Sequence, residues 1–226
     1  MMKRVFLWAM GCMLGLVAQA QHQQLFDDFR REAGSHAALF IGKVETGYPA
    51  TIYKSHPYWY TDQFSQGSVT YKGLVYNNLL LRYDAFQGQL VMNVNGVNIC
   101  AQMPLVESFV MDGIPFVRRS DEFVALLHEG PRMELIQQLQ CIPTDELMDH
   151  TKGVQMFNRK EKYFLILDGV MYPVDKLKSV QKLFPEHKKA LKRFAKQYSL
   201  DFKAYRQSSL TTIVKYADEL LVKPVN

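Results

Sequence analysis

The sequence predicts an α+β protein: an antiparallel β-meander, as a curled sheet or partial barrel, followed by a C-terminal three-helix segment. Two patterns carry that reading. From 67 to 174 short apolar runs alternate with turn pairs such as Lys72-Gly73, Asn95-Gly96, Asp112-Gly113 and Asp168-Gly169. Spacers this short favour antiparallel pairing, because parallel strands need long crossovers. From Asp175 onward the apolar period shifts to that of helices.

Before the sheet, 1–20 reads as an export signal. Lys3 and Arg4 precede an uncharged, mostly apolar run, 5–17, and Ala18-Gln19-Ala20 gives a small-x-small cleavage site before Gln21. The run is too short for a bilayer core of about 30 Å. An alternative ends a lipoprotein box at Gly11-Cys12, which leaves only 5–10 as apolar core. The expected divisions are a signal (1–20), a mainly antiparallel β domain with a short N-terminal helix (21–174) and a helical segment packed on it (175–226). Export places the protein in the periplasm, at the outer membrane or outside the cell, with no transmembrane segment in the mature chain.

In order, 21–31 has helical spacing, with Leu25, Phe26 and Phe29 on one face. Strands are expected at 38–46, 68–71, 74–83, 89–94, 97–102, 106–111, 115–118, 123–129, 133–141, 154–158, 163–167 and 170–174. In 74–83, Val75, Leu79, Leu81 and Tyr83 are at period-two spacing around Asn77-Asn78. Asn95-Gly96 is the clearest hairpin signal, since a type I′ turn needs positive φ at both positions. A first helix runs from an Asp175 cap to Phe184. A second starts near Pro185 with Leu191, Phe194, Ala195 and Tyr198 as its apolar stripe. A third covers 207–222, capped by Ser208 or Ser209 and ended by Pro224.

Charge is uneven. The full chain carries +5, yet 174–206 alone holds ten Lys or Arg against three acids. Lys188, Lys189, Lys192 and Arg193 are the candidate contacts there, for an envelope protein partner or an anionic surface. Nucleic acid is not expected, because no recognition motif accompanies the charge and the chain reads as exported. The other candidate is His56-Pro57-Tyr58-Trp59-Tyr60. Its aromatics either stack on a sugar or partner surface or anchor a long loop.

Catalytic motifs are missing from the sequence: no G-x-S-x-G, P-loop, G-x-G-x-x-G, C-x-x-C or zinc-type histidine spacing occurs. No catalytic residue, metal or cofactor is therefore assigned. Glu45, Asp62, Asp84 and Glu107 lie on strand ends or loops, where paired carboxylates could do acid/base work, and turn or solvated-face roles are the favoured reading. His128, after an apolar run, suits a tethering hydrogen bond. Cys100 and Cys141 either form one disulfide in an oxidising compartment or sit buried as small apolar residues.

Two blocks carry a resemblance. Residues 67–84, GSVTYKGLVYNNLLLRYD, follow His56-Pro57-Tyr58, and 163–174 lead into an LFP…KK…LK helix at 183–192. Together they resemble uncharacterised exported proteins of the Bacteroidota, over about residues 38–222. The chain departs from that pattern at Phe86-Gln87-Gly88-Gln89, where an acid is more typical. The resemblance implies a secreted or envelope protein and carries no catalytic residue. The functional expectation is thus an exported, non-catalytic interaction module. The alternatives are a small-ligand carrier with a cavity in the curled sheet, and an unrecognised hydrolase.

Overall fold

A computed structural model describes residues 39–49, 52–144 and 156–222. The expected signal, the 21–31 helix and Cys12 lie outside these residues. Eleven strands form one sheet: β1 (Lys43–Val44), β2 (Ser65–Tyr71), β3 (Leu74–Asp84), β4 (Gln89–Val94), β5 (Val97–Cys100), β6 (Val106–Met111), β7 (Ile114–Arg119), β8 (Glu122–Glu129), β9 (Met133–Thr144), β10 (Met156–Leu167) and β11 (Val170–Pro173). Three helices follow: α1 (Leu177–Leu183), α2 (Lys188–Gln197) and α3 (Arg206–Val222). The architecture is the expected α+β meander with three C-terminal helices, and the sheet is open.

The strand order is β1-β5-β4-β3-β2-β6-β7-β8-β9-β10-β11, and every pairing is antiparallel. Two meanders are joined where β6 pairs with β2 instead of β5. The crossing passes through a single 3-10 turn, Met103–Leu105. Lys72, Asn95, Asp112 and Asp168 all take φ near +50°, each with a positive-φ glycine next to it. These are the residue pairs that primed hairpin turns demand.

Curling is forced by contacts between distant strands. In a flat sheet β3 and β9, five spacings apart, would be separated by about 24 Å. Instead the Cys141 amide donates to the Ala85 carbonyl at 3.4 Å. The enclosed face is packed with side chains, among them Tyr71, Leu81, Leu90, Met92, Phe109 and Phe116. Phe109 and Phe116 stack with centroids 4.5 Å apart. The curl therefore holds a packed core where a small-ligand carrier would need its cavity.

Several expected elements change. Among the described residues the strand expected at 38–46 is Lys43–Val44, and 156–158 merges with 163–167 into β10. The gap expected at 159–162, the polar run Arg159-Lys160-Glu161-Lys162, is absent, since all twelve residues of β10 pair with β9. Ladder bonds use only backbone groups, so polarity alone does not interrupt them. In β3, Val75 is exposed and Tyr76 is buried. The cause is an extra residue at Asn77-Asn78, opposite the shift between Gly67 and Val69, with Asn78 at φ +58°. A one-residue bulge inverts the inward phase. Asp175 does not cap α1. Ser179 Oγ accepts the Asp175 and Lys176 amides at 3.0 and 3.1 Å, closing the first turn from inside. Pro185 lies ahead of α2, and α3 starts at Arg206, before either candidate serine. Tyr198 is exposed instead of completing the α2 stripe.

A second core joins the helices to the sheet. Val180, Leu191, Leu210, Ile213 and Val214 pack with Met133, Leu135, Tyr163 and Leu165. Phe194 stacks on Tyr216 at 3.9 Å. His128, expected to tether, does so: its Nε2 lies 3.0 Å from Asp218 Oδ2 on α3, while Asp218 Oδ1 accepts the Arg132 amide at 3.2 Å. Gly130 permits the approach, since a Cβ there would lie 1.7 Å from Asp218 Oδ2. Asp218→Ala removes the acceptor of the part-buried His128 ring and of the Arg132 amide, and should cost about 2 kcal/mol in urea unfolding. Gly130→Ala should lose a similar amount, and the double variant little more than either single, because both break the same tether.

Candidate functional site

The loop residues 45–49 and 52–62 lie across the seam where the curled sheet meets itself. Its backbone continues the ladder: the Trp59 amide donates to Tyr83 O at 2.8 Å, and the Ala85 amide to Pro57 O at 3.0 Å. Trp59, 5% exposed, points its ring at Phe116 with centroids 4.8 Å apart. Tyr58, 4% exposed, donates its hydroxyl to Glu45 Oε1 at 2.9 Å. These two rings are anchors, so they present no stacking face to a ligand.

Around Tyr58 a polar cluster links β1, the loop and β3. Arg82 Nη2 donates to Glu45 Oε2 at 2.7 Å, and Asn98 Nδ2 donates to the same oxygen at 3.1 Å. The guanidinium lies 3.8 Å from the Tyr58 ring centre and 4.4 Å from that of Phe64. Its Nη1 donates to Asp62 O at 2.6 Å. Burial, then the Glu45 bond, pushes the Tyr58 phenol above its ordinary range. Nearby, Asp84 Oδ2 accepts from Tyr48 at 2.6 Å, and Oδ1 takes the Phe86 and Gln87 amides at 2.9 Å. Burial raises the Asp84 carboxyl despite those donors. Of the four carboxylates singled out from sequence, Glu45 and Asp84 are thus bound into structure. Glu107 accepts the Gly73 amide at 2.7 Å, and the Asp62 carboxylate is solvent-facing.

His56 stacks on Tyr58 with centroids 5.7 Å apart, and its Nε2 lies 3.2 Å from Arg159 Nη2. Burial and then the Arg159 charge lower its pKa. Cys100 and Cys141 are free thiols, both pushed up by burial. Cys141 is buried and Cys100 is partly exposed.

Tyr60 differs from its neighbours. It is 38% exposed, and its φ is +52°. The completely buried Gln137 on β9 donates through Nε2 to the Tyr60 hydroxyl and, at 3.0 Å, to that of Tyr163. Tyr163 in turn donates to Glu161 Oε2 at 2.8 Å. Gln137 Oε1 is buried with no hydrogen-bond partner among the described residues. Tyr60 and Glu161 open onto a groove of about 810 Å³ between the sheet and the start of α3, with the buried Tyr163 behind them in its lining. Sequence reasoning found Tyr60 and missed Gln137, Glu161 and Tyr163, which only the β9–β10 register brings beside it.

No known protein family matches this chain, and no curated protein or solved structure matches it either. Function must be read from geometry. Among the described residues no group of three or more His, Cys, Asp or Glu is arranged to hold a metal. No helix among them is long and apolar enough to cross a membrane.

The remaining sequence candidates lie on α2. Lys188, Lys189, Lys192 and Arg193 are exposed, and Lys196 joins them. At 3.6 residues per turn all five fall within about 140° of the circumference. Leu191 and Ala195 face the core on the other side. Among the described residues none of the five forms a salt bridge. The aromatic loop and this face are separate features: the first closes the sheet, the second points to solvent.

Raised phenols make an alkaline prediction. Tyr48, Tyr58, Tyr83 and Tyr163 are all held above their ordinary value of 10.0, chiefly by burial. Unfolding above that pH releases protons, so this stability is intact below about pH 10 and is lost as pH rises toward the folded values. The urea midpoint should hold steady to about pH 9 and fall steeply beyond about pH 10.

Proposed function

We propose that the protein is an exported, non-catalytic interaction module that lies against an anionic membrane surface through α2. The observation that carries this is the five-cation face, Lys188, Lys189, Lys192, Arg193 and Lys196, set opposite a buried apolar stripe. Four of the five are lysines, compact charges without the planar fork that suits a fixed carboxylate partner. A layer of lipid phosphates requires no fixed geometry, and several cations together give reversible, salt-sensitive attachment. A docked protein would want a desolvated aromatic or apolar anchor among the charges. The face itself contributes none.

Support for export comes from 1–20 and from the resemblance of 67–84 and 163–192 to exported proteins. The weakly acidic remainder of the mature chain would orient the molecule with its helical end toward the membrane.

Co-sedimentation with phosphatidylglycerol/phosphatidylcholine vesicles tests the reading. The mature protein should pellet with these vesicles and remain free with pure phosphatidylcholine. Raising salt from about 0.1 M to 1 M, which shortens the screening length from about 10 Å to 3 Å, should release it. Combined Lys189→Glu, Lys192→Glu, Arg193→Glu and Lys196→Glu should weaken binding by at least about tenfold with unfolding unchanged. Equal binding to neutral vesicles, or no effect of charge reversal, would overturn the proposal.

A further inference from the structure

We propose that the groove between the sheet and α3 is a binding site for a neutral oligosaccharide. Its size suits such a ligand: about 810 Å³ falls within the range of small-molecule sites. It is an open trough and has room for more than one sugar ring.

Its chemistry is mixed in a way that selects against charge. Glu161 lines one wall, while Lys203 and Arg206 line the helix side. An anionic ligand gains at one wall and is repelled at the other, and a cation meets the reverse. A neutral chain of hydroxyls donates to the carboxylate and accepts from the cations without either penalty. Hydroxyl groups occupy both walls. The half-exposed Tyr60 stands on the sheet side, backed by the buried Tyr163, with Ser208, Thr211 and Thr212 on the helix. Ser208 and Thr211 spend their protons on helix carbonyls, at 3.2 Å to Tyr205 O and 2.9 Å to Gln207 O, which leaves them as acceptors. The Thr212 hydroxyl makes no side-chain hydrogen bond within the described residues, so it can donate or accept.

Sugar rings also need C–H surface. Ile114, Pro115, Leu126 and Leu127 provide it, and the half-exposed Tyr60 ring adds an aromatic face. Gln137 makes the site preorganised. Its single amide nitrogen fixes the Tyr60 and Tyr163 hydroxyls at the groove while its own Oε1 remains without a partner. An apolar side chain would fill this buried position without an unsatisfied oxygen. Fixing hydroxyls before binding lowers the ordering cost of recognition.

Calorimetric titration with maltohexaose, cellohexaose, laminarihexaose and the N-acetylglucosamine hexamer tests this, with oligogalacturonate and the glucosamine hexamer as charged counterparts. At least one neutral hexamer should bind more tightly than both charged chains. Tyr60→Ala should weaken that binding at least about tenfold, Tyr60→Phe less, and Thr212→Val a few-fold. Thr212 is partly exposed, so its variant reads the site even where Tyr60→Ala disturbs the loop. The α2 charge-reversal variant should bind the sugar as the unaltered protein does, which separates this site from membrane attachment. No binding to any neutral hexamer, preference for a charged chain, or unchanged affinity in both Tyr60→Ala and Thr212→Val would overturn it.

Discussion

The Glu45–Arg82 pair is the contact on which the rest of the arrangement depends. Both side chains are largely removed from solvent, with 8% and 12% exposed, and their atoms meet at 2.7 Å. Two charges so placed are costly unless each is paired and otherwise satisfied. Here the carboxylate takes Arg82, Asn98 and Tyr58. The guanidinium also donates to Asp62 O and is sandwiched by Tyr58 and Phe64, with its Nε alone buried and without a partner among the described residues. One ion pair thus ties the sheet edge at β1, the loop carrying His56 to Tyr60, and the C-terminal end of β3. With the loop fixed, Trp59 fills the space against Phe116 and the seam beside Ala85 and Cys141 closes.

Closure has consequences at both proposed binding surfaces. Fixing Tyr58 and Trp59 inward leaves Tyr60 as the member of the run that reaches the groove, where Gln137 meets its hydroxyl. The same curl packs the first core and leaves the far face of β8 to β10 free for helices. The His128–Asp218 contact then holds α3 against the sheet, which fixes one wall of the groove. With α3 held, the second core buries the apolar side of α2, and its lysines face water. The groove and the cation face are therefore products of one packing arrangement, though they serve different ligands.

Much of the fold was legible because its signals are local. Each two-residue turn needs positive φ, and Lys72-Gly73, Asn95-Gly96, Asp112-Gly113 and Asp168-Gly169 announce that need in place. The α2 stripe is equally local, since helical period alone gathers its cations on one side. What escaped depends on pairing between distant segments. Nothing near Asn78 reveals that the strand phase inverts there, because the bulge is defined by the partner strand. Polarity at 159–162 hid the continuity of β10, which β9 supplies. The aromatic loop was visible as a feature, but whether its rings point in or out is decided by Glu45 and Arg82, which lie 13 and 24 positions from Tyr58. Gln137, Glu161 and Tyr163 gave no local cue, and register alone assembles them.

A double-mutant cycle in urea on Glu45→Gln and Arg82→Met tests the central claim most directly. If the pair closes the seam, each single variant strands a buried partner and loses about 3 kcal/mol. The double variant then loses little more than either single, a coupling of about 2 kcal/mol or more. Small losses that simply add would contradict the account, and would mean that the seam closes without the pair.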